Sequence, residues 1–75
     1  MKNKFIDLIT ETLDIDDRKL QISDKFRDYK EWNSLSLLSI IAAIDEEYDV
    51  TIEDIVFLKL HTLEELYAEI QRRIQ

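Results

Sequence analysis

The chain contains no cysteine, no glycine and no proline. Without cysteine there are no disulfides, thiolate metal sites or cysteine nucleophiles. Without glycine there is no phosphate-cradling loop, dinucleotide fingerprint or tight glycine hairpin. Basic residues are scarce as well: 10 Lys and Arg stand against 17 Asp and Glu, a formal net charge of −7. Nucleic-acid binding is disfavoured, because it depends on cations neutralising phosphates. No apolar run approaches the roughly 20 residues of a membrane span. Asp7 and Glu11 break up the N-terminal apolar residues, so no signal peptide is expected. The expectation is a soluble, cytoplasmic, monomeric protein.

What remains is 75 residues with a 45% apolar fraction. That is enough for one small core, so residues 1–75 are expected to form a single domain. The helical period dominates. Phe5, Leu8, Ile9, Thr12 and Leu13 recur at spacings of three and four, predicting a helix over 3–14 with Asn3 as N-cap. Residues 15–33 lose the period and read as a long loop pinned by Ile15, Leu20, Ile22, Phe26, Tyr29 and Trp32, with a short helical turn after Ser23 or Asp24.

Residues 34–48 are apolar on most sides, predicting a central helix capped by Asn33. Thr51 reads as the cap of a short helix that takes in Ile52-Glu53-Asp54, with its acids in the first turn, and then Ile55-Val56-Phe57-Leu58. Thr62 and Glu65 form a capping box, followed by the stripe Leu63, Leu66, Tyr67, Ile70 and Ile74. The fold class is therefore all-α: a four-helix bundle with three longer helices, a short third helix and a long first loop.

A self-contained catalytic set is missing. The one histidine, His61, has no cysteine partner and reads as an exposed helix-entry residue. Asp14, Asp16 and Asp17 look like the opening of a calcium loop, but lack its glycine and closing glutamate. Two features carry more information. Ser34 falls just after a cap residue, where unpaired backbone N–H groups and the helix dipole favour negative charge, so a phosphate on its hydroxyl would sit well. Downstream, Asp45 to Asp54 holds six acids and no base. Acids at a helix C-terminus oppose the dipole, which points to a surface for a basic partner, with Asp45, Glu46, Glu47, Glu53 and Asp54 as its candidates.

Asn33-Ser34-Leu35, the apolar helix after it, Asp45-Glu46-Glu47-Tyr48, Ile52-Glu53-Asp54 and the upstream Ile22-Ser23-Asp24-Lys25-Phe26 together resemble the acyl carrier protein family across nearly the whole chain. The resemblance implies that Ser34 carries 4′-phosphopantetheine, placed there from coenzyme A by a phosphopantetheinyl transferase. The thiol of that arm would hold acyl groups as thioesters and present them to loading and consuming enzymes with basic docking surfaces. It also implies an acyl-chain space between the second and third helices, with Leu38, Ile41, Ala42, Ile55 and Phe57 as its lining. The chain would then be a carrier, not an enzyme, serving fatty acid, polyketide, peptide or envelope-sugar chemistry.

Three departures stand out. Asn33 replaces the usual Asp, Ser36 and Ser39 stand where acids are frequent, and Lys30-Glu31-Trp32 replaces a glycine-containing approach. They point to a specialised carrier. The alternative is an unmodified acidic helical module that docks a basic partner without using Ser34.

Overall fold

The helical spacing of Phe5 and Ile9 closes into α1, Lys2–Thr12, in a computed structural model that describes residues 2–74. Because α1 already begins at Lys2, Asn3 lies inside it instead of capping it. It ends earlier than the expected residue 14. Asp14 takes a left-handed conformation (φ 56°), its N–H donates to the Glu11 carbonyl, and the Ile15 N–H reaches back to Thr10 at 3.0 Å. This is the Schellman pattern, with aspartate where glycine usually stands; a short polar side chain tolerates that region. Asp14 therefore serves as a helix stop, while Asp17 pairs with Arg18 and Lys30.

Residues 13–35 cross the bundle as an anchored loop. Leu13, Ile15, Leu20 and Phe26 are all buried. A single 3₁₀ turn forms at Phe26–Asp28, close to where the sequence places one. The loop is also tied to the last helix. The Leu63 N–H donates to Asp24 O and the Glu64 N–H to Ile22 O, and Lys25 and Thr62 form an isolated antiparallel bridge; the described residues contain no strand. Arg18 grips Glu31 with two nitrogens, at 3.0 and 2.7 Å.

The second helix, α2, spans Ser36–Tyr48 and packs against α1. Ile40 and Ile44 enter the core. Its C-terminus turns on Asp49, again left-handed (φ 56°), which hands the chain to buried Val50 and Ile52. The short α3, Asp54–Phe57, starts after an extended Glu53 with no side-chain cap. Thr51 does not cap it, as the sequence had implied; its hydroxyl faces Asp45 instead.

Thr62 does cap α4, Leu63–Arg73. Its hydroxyl accepts from the Glu65 N–H, and the Glu65 side chain accepts from the Thr62 N–H. Leu63, Leu66 and Ile70 are buried, whereas Ile74 lies past the helix end and is exposed. Glu69, also buried, is held by Arg72 and Arg73; Arg73 continues to Thr51 O and Glu53, bracing α4 against the segment before α3.

Phe5, Ile9, Phe26, Ile40, Ile44, Ile52, Phe57, Leu63, Leu66 and Ile70 thus share one core drawn from all four helices and the first loop. The architecture is the expected all-α four-helix bundle.

Two outcomes follow. Thr62→Ala removes one half of the capping box and should cost about 1 kcal/mol, lowering Tm by about 4–8 °C for a domain of this size; calorimetry checks it. The Arg18 hydrogen bonds hold the Glu31 carboxyl below the usual carboxylate range. As pH falls, the unfolded chain therefore takes up that proton first, and the pair's contribution is present above the ordinary glutamate pKa and lost through the lower folded value. Glu31→Gln should melt below the native chain at pH 7, and the two melting temperatures should converge as pH falls below the ordinary glutamate range and through the lower folded value. Identical melting at pH 7 would show that the pair contributes nothing.

Candidate functional site

The start of α2 is built by a reciprocal pair of hydrogen bonds. The Asn33 side-chain carbonyl accepts from the Leu35 N–H at 2.8 Å, and the buried Ser36 hydroxyl accepts from the Asn33 N–H at 2.9 Å. The Ser36 N–H closes onto Asn33 O and the Ser39 N–H onto Leu35 O, so the first turn is tight before the regular helix begins. Asn33 thus caps the entry turn, as its type predicts. The regular helix begins at Ser36, two residues after the expected start, because residues 34 and 35 belong to that turn. Ser36 does what a glutamate does in a capping box. The sequence signal, Asn-x-x-Ser, was present, but the serine was weighed only as a missing acid.

Ser34 lies in this turn and is exposed. Its neighbours Asn33 and Leu35 are neutral, and the dipole of the 13-residue α2 ends there with its positive pole. A phosphodiester on the hydroxyl would meet that pole with no carboxylate adjacent in the chain, so the residues present fit the group. The site offers placement without activation: the sole histidine, His61, is exposed and sits before α4, where its backbone N–H donates to Glu65.

The five acids do not act as one patch. Glu47 is drawn to Lys4 of α1 at 2.7 Å, which raises the Lys4 pKa. Glu53 is drawn to Arg73 of α4 at 2.9 Å, which holds its carboxyl below the usual range. Asp45 faces Thr51 at 3.4 Å. Glu46 and Asp54 are exposed, with no cation paired to either among the described residues.

The five residues expected to line an acyl-chain space also separate. Leu38 and Ile55 point outward, 62% and 66% exposed. Phe57 is fully buried in the core. Ala42 is exposed and borders a shallow groove against α1 with Leu8, Thr12, Ala43 and Glu46. Ile41 is half-buried against the core. The expected shared lining gives way because helix phase sends these side chains in different directions. The same phase leaves part of the apolar surface at α2 outside the core. Leu35, like Leu38, is exposed (68%), and Ile55 is joined by Leu58 (58%). These are two (i, i+3) pairs, one on each side of the α2–α3 connection; the apolar-all-round reading of residues 34–48 covered only Leu35 and Leu38.

Trp32 packs inward. Its ring stacks on Phe57 (centroids 6.4 Å apart, planes at 12°) and leans on Phe26 at 5.3 Å. Arg27, unremarked in the sequence, holds this cluster. Its guanidinium lies over the rings of Phe26 and Phe57 and donates to the Phe57 and Leu60 carbonyls, completing the C-terminal end of α3.

With this geometry established, comparison with known proteins is informative. The family model described as "Phosphopantetheine attachment site" matches residues 3–70. An acyl carrier protein of Petrotoga mobilis is 33% identical over 61 residues, covering 81% of this chain and 72% of that protein. The solution structure of a holo acyl carrier protein from Geobacter metallireducens superposes with a TM-score of 0.80 at 18% identity, covering 95% of this chain and 82% of that one, which establishes a shared fold. No described helix is long and apolar enough to cross a membrane. The chain belongs to the phosphopantetheine-attachment family as an acyl carrier protein: a carrier for acyl groups on a covalent 4′-phosphopantetheine arm, not an enzyme.

Proposed function

We propose that Ser34 is the residue that carries the arm. The observation behind this reading is an exposed hydroxyl in the capped entry turn of α2, at the positive end of the dipole, inside the matched segment. Attachment forms a bond between the Ser34 oxygen and phosphorus while the rest of coenzyme A leaves. The hydroxyl proton passes to the transferase, because among the described residues no base is hydrogen-bonded to Ser34. Asn33 in place of aspartate keeps the cap and removes one negative charge from the transferase's approach.

The partners in this reading are a phosphopantetheinyl transferase and acyl-loading and acyl-using enzymes. They approach the α2–α3 side with an apolar centre for Leu35, Leu38, Ile55 and Leu58 and basic groups for Asp45, Glu46 and Asp54. Glu47 and Glu53, already paired within the bundle, contribute less. The whole chain acts as one carrier unit, monomeric and cytoplasmic, where coenzyme A and the biosynthetic enzymes are met.

Incubation with coenzyme A and a broad-specificity transferase should add the mass of one phosphopantetheine to the native chain and none to Ser34→Ala. An unchanged native mass, or a gain that survives Ser34→Ala, overturns the assignment. Glu46→Lys with Asp54→Lys should slow transfer at least about tenfold at low salt, with the difference shrinking as ionic strength rises. Equal rates at all salt concentrations would remove these acids from the docking surface.

A further inference from the structure

Behind the entry turn of α2 the core contains an apolar gap lined by Ile9, Phe26, Trp32, Ile40, Leu63 and Leu66. These side chains meet closely enough that the space between them admits no water molecule. Five of the six lining residues are at most 1% exposed. Trp32 alone is half-buried, so its indole is the one part of the lining that reaches the surface. It also stands two residues before Ser34.

The ring is not loosely placed. It stacks on Phe57 and Phe26, and Arg27 covers both phenyl rings while bonding the end of α3. The Trp32 backbone N–H donates to Tyr29 O, and neighbouring Glu31 is held by Arg18. An acyl chain entering from the Ser34 side would have to displace an aromatic surface that is itself buried against two others, and would gain only the area it covers in exchange.

We propose that Trp32 is a specificity-determining residue: it plugs the apolar interior beside Ser34 and keeps the acyl group outside the bundle. The cargo is then a short or polar acyl group, which loses little by staying in water. A long alkyl chain would remain exposed at the full hydrophobic cost. This inference rests on Ser34 as the attachment point.

The test uses a transferase that accepts acyl-coenzyme A to place acetyl- or octanoyl-phosphopantetheine on the native chain, on Trp32→Leu and on Trp32→Ala. Intact mass is read first. Absence of any gain refutes the attachment reading itself and takes this inference with it. With loading confirmed, the native octanoyl form should melt within about 2 °C of the native acetyl form. The Trp32→Leu octanoyl form should melt about 5 °C or more above its own acetyl form, as a newly buried chain adds stability. Trp32→Ala should behave likewise where it folds.

The chain has one tryptophan, so its emission reports on this ring alone. The spectrum of the native chain should be the same with either cargo. A rise of about 5 °C in the native chain, an emission shift on octanoylation, or no rise in Trp32→Leu each overturns the proposal.

Discussion

Everything that gives this bundle a usable hydroxyl depends on how α2 begins. Helix starts leave N–H groups without partners, and a chain with neither glycine nor proline has few ways to enter a helix sharply. Here the Asn33 side chain accepts from the Leu35 N–H and the Ser36 hydroxyl accepts from the Asn33 N–H, across one turn. The consequence is positional. Leu35 and Ser34 are lifted to the surface while Ser36 and Ile40 are drawn in. A site that must accept a group from another enzyme needs this combination: an exposed side chain on backbone that does not fray. An asparagine cap provides it as well as an aspartate would, which is why the family's usual carboxylate is dispensable for the fold.

The long first loop is the second condition. A 75-residue chain has little core to spend on ordering a segment of more than twenty residues. The loop is affordable because it supplies core itself, through Leu13, Ile15, Leu20 and Phe26, and because its backbone is hydrogen-bonded to the start of α4. Arg27 then links it to α3 through two carbonyls and two aromatic faces. The four residues of α3 are too few to stand as an independent helix. Loop, α3 and the entry turn are thus one mechanical unit around Phe26, Trp32 and Phe57, and what happens beside Ser34 is coupled to α3 through that cluster.

The helices and the capping box at Thr62 were legible in the sequence because they follow from period and residue type alone. The end of α2 at Tyr48 was legible too. The stop of α1 was not, since without glycine the left-handed residue is an aspartate, and aspartates are too common here to mark one. Asn33 was expected to cap α2 itself, but it closes the turn before the helix, whose own N-cap is Leu35. The bridge between Lys25 and Thr62 joins segments far apart in sequence and leaves no local pattern. Among candidate site residues, Ser34 was singled out from its place at a helix start. The side-chain directions in the acyl-lining set were hidden for a different reason. Apolar type was taken as inward direction, yet Leu38 and Ile55 face water while Phe57 on the same side of the chain is fully enclosed.

That misreading points to the division of labour in the molecule. Four large apolar side chains, Leu35, Leu38, Ile55 and Leu58, remain outside a core that had every energetic reason to take them in. At the same time an indole that could have faced a partner fills the interior next to the attachment turn. The exchange places stickiness on the surface and closes the inside. A carrier that encloses its cargo needs a yielding core and can keep a polar exterior. A carrier that offers its cargo in the open needs a filled core and an exterior on which apolar contact, guided by a surplus of negative charge, holds an enzyme close to Ser34 for the length of one transfer. The distribution of apolar side chains in this chain matches the second arrangement.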